Sequence, residues 1–362
     1  MTHVRLGGGL VVMAAALAAA TGCLHRAEKI TIGRDGRVTI EVEYKGDPGD
    51  FTGPDALPSK ESDWDVTRTE KAKGPEPAQP EEGKPAKGVP QTEVELTATR
   101  GFPPGAELPR TFAAPTDPDR DLYLDFPTTL KIEERPDGTY YHFRRVYSPR
   151  RWAYANFWKE AIFDEDMQKL AAKDPKELKR NDRIRVLKAF AEVEARKQVE
   201  FLREALAQCD PQLAADRFLR VRRALLDVYE RIDWDKVLPP ELLTQDEEER
   251  DKQLQQEAER LIAEGHAEAV KSLRMHAGYE DAQVAAFEKA YARAQRYYQI
   301  TESHDGHVFG LAIIMPGEVV AHNADEVEQD GTPTWSFGGV AFRDRPHEIM
   351  ITSRVPREKE GK

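Results

Sequence analysis

Few residues in this chain have the type and spacing that chemistry demands. Cys23 closes Ala20-Thr21-Gly22-Cys23, a thiol preceded by small residues at the end of an apolar run. His304-Asp305-Gly306-His307 could offer metal donors. Two imidazoles and one carboxylate on a single turn lack the outer partners that orient a metal centre, so the segment reads as a polar turn before a strand. Ser303-His304-Asp305 holds triad residue types side by side, whereas a triad needs convergence in space. His266 and His276 show no HExxH pattern and read as surface residues. Cys209 follows Leu202 and Leu206 at helical spacing and reads as a small apolar residue rather than a reactive thiol. GxSxG, HExxH, CxxC, the phosphate-binding loop and the dinucleotide GxGxxG are all missing. The expectation is a non-enzyme with no catalytic residue, metal or cofactor.

The densest aromatic stretch runs from Tyr140 to Phe163 and includes Tyr141, Phe143, Tyr147, Trp152, Tyr154, Phe157 and Trp158. Arg144, Arg145, Arg150 and Arg151 interleave with these rings. One reading is a lipid- or glycan-binding platform, with Arg144, Arg145, Tyr147, Arg150, Arg151 and Trp152 as contact residues. The other is a packing junction between sheet and first helix, with the arginines on a solvated edge. The acidic run Asp246–Arg250 reads as a solvated helix face.

What must position these residues begins with the N-terminus. One Arg lies within Met1–Arg5, and Leu6–Ala20 is apolar or Gly, too short to span a bilayer. With Ala20-Thr21-Gly22-Cys23 the stretch resembles the signal peptide and lipobox of bacterial lipoproteins, with Ala20 where Leu is usual. The resemblance implies that residues 1–22 are removed and that Cys23 carries the acyl (palmitate-type) anchor. It further implies an extracytoplasmic protein held at the membrane of the cell envelope. Leu24 rather than an acid after the cysteine resembles the outer-membrane class of Gram-negative lipoproteins.

The 362 residues carry a net charge of −12. An acidic chain with no basic domain is a poor nucleic-acid binder. The second cysteine, Cys209, has no partner if Cys23 is lipidated.

Hydropathy patterning divides the chain in three. In the first part, 23–148, Ile30 and Ile32, then Val38, Ile40, Val42 and Tyr44, alternate with polar residues around Asp35-Gly36, a hairpin signature. Strands are expected at Trp64–Thr69, Val94–Thr99, Leu122–Phe126, Leu130–Glu134 and Thr139–Tyr147. Residues 73–91 are Pro, Gly, Lys and Glu with almost no apolar residue, and read as a disordered loop. From 149 to 303 apolar residues recur at three and four, giving about five helices. Asp174-Pro175 and Asp210-Pro211 look like helix starts. Val284, Phe287, Tyr291, Ala294 and Tyr298 form a coiled-coil-like seam. Strand texture returns over 304–355, with an apolar run at Val308–Met315, and 356–362 is a charged tail. Pro316-Gly317-Glu318-Val319-Val320, Asn323-Ala324-Asp325 and Thr334-Trp335-Ser336-Phe337 resemble the end of a β-rich domain in LppM-type bacterial lipoproteins. That resemblance carries no catalytic residue across.

The expected fold is α+β: a β-rich extracytoplasmic domain interrupted by a long antiparallel helical insertion. The strands flanking the insertion, Thr139–Tyr147 and His307–Met315, are expected to pair. The expected function is a non-catalytic structural or protein-interaction module, anchored through Cys23 and meeting an envelope protein partner. The alternative is a lipid or glycan binder using 140–163.

Overall fold

A computed structural model describes residues 24–53, 55–72, 92–152, 164–171, 173, 177–244 and 247–357. Cys23 and the segment before it, the 73–91 stretch, Asp174-Pro175, residues 153–163 and residues 358–362 lie outside the described residues. The chain is α+β. It falls into two compact units, one from the residues up to Arg151 together with those from Gln299 onward, the other from Trp152–Tyr298.

The first unit is built on strands. β1 (His25–Ile32) and β2 (Val38–Gly46) form the expected hairpin, with Ile30 opposite Ile40 and Ile32 opposite Val38. Gly36 makes the turn at φ +80°, a conformation that favours glycine. β3 (Asp65–Ala72) and β4 (Thr92–Phe102) extend the sheet beyond β2. β7 (Val308–Ile314) joins on the other side, parallel to β1, and β10 (Pro333–Gly338) and β9 (Glu326–Val327) follow. The order β3-β4-β2-β1-β7-β10-β9 places β1 at the centre of seven strands. β7 is hydrogen-bonded on both edges, as its apolar run requires. The second sheet has the order β5-β6-β11-β8, from β5 (Thr128–Arg135), β6 (Gly138–Tyr147), β8 (Glu318–His322) and β11 (His347–Pro356).

The two sheets face each other. Tyr147 of β6 meets Phe309 of β7 and Phe337 of β10 at ring-centroid separations of 6.0 and 5.1 Å. The strands flanking the helical stretch therefore lie in different sheets rather than pairing. Each strand finds other edges: β6 bonds β5 and β11, and β7 bonds β1 and β10. The strand expected at Leu122–Phe126 is a short 3₁₀ turn followed by loop. Leu122, Tyr123, Leu124 and Phe126 are buried there, but the Leu122 and Tyr123 carbonyls accept from the Arg150 guanidinium instead of a strand neighbour.

The second unit is helical. Its described helices are α1 (Glu165–Ala171), α2 (Arg180–Cys209), α3 (Ala215–Glu230), α4 (Trp234–Val237), α5 (Glu247–Ser272) and α6 (Asp281–Ser303), the last ending in the β unit. The seam residues Val284, Phe287, Tyr291, Ala294 and Tyr298 are all buried, together with Phe201, Leu202, Leu206, Val221 and Leu225. Gly278 closes the π-helical turn after α5 at φ +74°. Asp210 does not start a helix at Pro211. It closes α2 and accepts the Tyr279 hydroxyl at 2.9 Å, and α3 begins only at Ala215. His266 is not a surface residue: it lies half-buried against the Phe287 and Tyr291 rings, and burial lowers its pKa. Arg250, read as part of a solvated run, is buried and within 3.6 Å of Asp251.

Candidate functional site

The arginines of the aromatic stretch do not gather on a surface. β6 alternates its faces, so Arg144 is exposed and ion-paired with Glu348, whereas Arg145 points between the sheets and is fully buried. Arg145 donates to Glu28 on β1 at 2.6 Å and to the Thr128 hydroxyl at 2.9 Å. Arg26, two residues before Glu28 and on the same face of β1, is the carboxylate's second partner. Arg26 also lies over the Phe112 and Phe126 rings, at 4.4 and 4.9 Å. Burial by itself would raise the Glu28 pKa, but Arg145 and Arg26 overcome it and hold the carboxylate below its ordinary range. Tyr147 is buried and its hydroxyl pKa is raised by desolvation. Arg150 is buried with Thr301: its Nε and Nη2 donate to the Thr301 hydroxyl at 3.0 and 2.8 Å, and Nη1 donates to the Leu122 and Tyr123 carbonyls. Arg151 is exposed and Trp152 is buried. Of the six residues expected to contact a ligand, Arg145, Tyr147, Arg150 and Trp152 are therefore interior groups, and Arg145 and Arg150 are not on a solvated edge. Charged side chains are buried this deeply only when other groups satisfy most of their polar atoms; here carboxylate, hydroxyl and carbonyl oxygens do so, and Arg26 Nε and Arg145 Nη2 are left without a hydrogen-bond partner.

The second place where chemistry-bearing groups converge is the junction between α6 and β7. His304 opens a single 3₁₀ turn, His304–Gly306, and His307 follows it. Residues i and i+3 of such a turn stand one above the other, which puts both imidazoles on one side. Their ring centroids are 5.3 Å apart. His304 is completely buried beside the Phe309 and Phe342 rings. The turn rests directly on the backbone at Gly339, where a Cβ would stand 2.1 Å from the His304 carbonyl oxygen.

The acid that meets His304 is not its neighbour Asp305. It is Asp55, 249 positions earlier, whose Oδ2 lies 2.9 Å from His304 Nε2. Burial would raise the Asp55 pKa, but His304 holds it well below the usual carboxylate range. Burial, reinforced by His304, pushes His307 down to about 3, so its imidazole is neutral at physiological pH. One donor atom from each of Asp55, His304 and His307 lies within 4.8 Å of the other two. The Ser303 hydroxyl donates to the Ile300 carbonyl, so the Ser-His-Asp sequence makes no nucleophile–base pair. Reading 304–307 as a polar turn alone thus misses Asp55, which no local signal in the sequence could reveal.

Cys209 is half-buried against the helical core, and its thiol pKa is raised by burial, which makes it a poor nucleophile. No described helix is long and apolar enough to cross a membrane. No protein family, curated protein or solved structure matches the chain.

Proposed function

We propose that the protein is a lipid-anchored, non-catalytic module of the bacterial cell envelope, extracytoplasmic and attached through Cys23, that engages a protein partner through its helical unit. The observation that carries this reading is where β1 starts. It begins at His25, and it is the central strand of the seven-stranded sheet. Two residues of chain reach at most about 7 Å, so an acyl group on Cys23 would hold the β unit at the membrane surface without a stalk. Two or more acyl chains anchor stably where one does not. The resemblance of residues 316–337 to LppM-type lipoproteins agrees with this at the level of fold class.

The helical unit supports the partner role because its seam residues bury one another within the unit. Its outer faces carry ion pairs such as Arg196–Glu192, Arg260–Glu264 and Lys271–Glu268, and Leu219 and Met275 stand exposed. The lipid or glycan alternative draws no support from residues 144–152, four of whose six candidate contacts are interior.

Cys23→Ser tests the anchor. The variant should move from the membrane to the soluble fraction and lack the acyl mass on its N-terminus. Unchanged membrane retention, with no acyl mass on the wild-type chain, refutes the reading. Photo-crosslinkers at positions 219 and 275 test the partner. They should yield one defined protein adduct in envelope membranes, and the absence of any adduct there and at other exposed helical positions counts against an interaction role.

A further inference from the structure

Asp55, His304 and His307 supply two imidazole nitrogens and one carboxylate oxygen. That donor set suits borderline divalent first-row ions, and three protein donors with one open position is the arrangement of zinc sites that exchange a ligand. We propose that these residues bind a divalent transition-metal ion of the zinc type, which ties the Asp55 loop to the α6–β7 junction.

Three features carry the assignment. The donor atoms already converge within 4.8 Å. Donors about 2.0–2.2 Å from a tetrahedral ion stand roughly 3.4 Å apart, so no pair needs to draw together by more than ~1.4 Å, and Asp55 Oδ2 and His304 Nε2, at 2.9 Å, need to open only slightly. Next, two of the ligands are held in place before any ion arrives. His304 and His307 share one 3₁₀ turn, and that turn is seated against Gly339 and the Phe309 and Phe342 rings. Finally, the cluster is neither sealed nor open. The His304 side chain is wholly buried, the Asp55 side chain keeps 16% of its exposure, and His307 is half-buried. An ion can enter from the Asp55–His307 side, and a water can complete its coordination there.

The charges are compatible. Asp55 brings one negative charge to the site. Arg26, whose charge also reaches Asp55, is already paired with Glu28. The Asp55–His304 hydrogen bond holds the two side chains together, and the buried His304 Nδ1 has no hydrogen-bond partner. The ion would replace that hydrogen bond with two coordinate bonds. Nothing in this inference depends on lipidation or on the helical unit's partner.

The test is titration of the full-length chain with Zn²⁺ by isothermal calorimetry after chelator treatment, with Co²⁺ as an absorbing substitute. The wild type should bind one Zn²⁺ per chain and show the visible d–d bands of a low-symmetry Co²⁺ site. His307→Ala and Asp55→Asn should each lose at least about tenfold in affinity, as the loss of even an outer partner does. His276→Ala, on an exposed residue of the other unit, should change nothing. Because Asp55→Asn removes a buried partner, hydrogen exchange on the wild type provides a readout independent of folding. Added Zn²⁺ should slow exchange in peptides covering residues 55–59 and 304–309. Absence of stoichiometric binding, or equal binding by wild type, His307→Ala and Asp55→Asn, overturns the proposal. So does binding without slower exchange at those two segments.

Discussion

Replacing Glu28 with Gln should destabilise the β unit by about 3–5 kcal/mol. The substitution keeps the shape, removes the charge and turns one of the two acceptor oxygens, both of which receive a guanidinium donor, into a donor. Glu28 is the carboxylate between Arg26 and Arg145, and the three side chains are 2%, 5% and 0% exposed, so water screens none of them. Each guanidinium–carboxylate contact contributes about 4 kcal/mol at an effective dielectric of about 20 and ~4 Å between charge centres. Much of that attraction offsets the cost of taking three charges out of water. Removal of the carboxylate leaves the cost in place and two cations facing each other between the sheets. Replacing all three with Met or Leu of similar volume should instead be close to neutral, because cost and gain leave together. A single denaturation curve would mix the two units. The assay is therefore hydrogen exchange by mass spectrometry, following peptides from β1 and β6 separately from α2 and α6. Glu28→Gln should raise exchange in β1 and β6 strongly and in the helices little. A β-unit effect below about 1 kcal/mol, or a triple replacement as harmful as the single one, would refute the reasoning.

Acid should find the same weak point. The Glu28 carboxylate is held below its ordinary range, so its contribution is fully present above the unfolded value of about 4.3 and is lost as pH falls through the lower folded value. β1–β6 protection should accordingly drop below about pH 4 in the wild type and show a flatter pH dependence there in Glu28→Gln. In the helical unit, Phe287→Ala removes a fully buried ring from the seam and should cost about 3–5 kcal/mol, read as faster exchange in α2 and α6.

Features that depend on near neighbours are legible in the order of residues. Alternation around Asp35-Gly36 specified the β1–β2 hairpin and its register, because period-two patterning and a turn that needs positive φ act over a few residues. Three-four spacing placed Phe287, Tyr291 and Tyr298 on one buried face for the same kind of reason. Other features arise only when folding brings together residues that are far apart in the chain. Arg26, Glu28 and Arg145 look like surface residues in the chain, since charge is mostly exposed. They are interior because the two sheets place oppositely charged partners face to face at 2.6 Å. β6 and β7 each flank the helical stretch, yet neighbouring edges outcompeted their pairing and put them in separate sheets. His304 and His307 were visible as a pair at i and i+3. Asp55, which makes them a three-donor cluster, comes from 249 residues away, where no local pattern couples one side chain to the other.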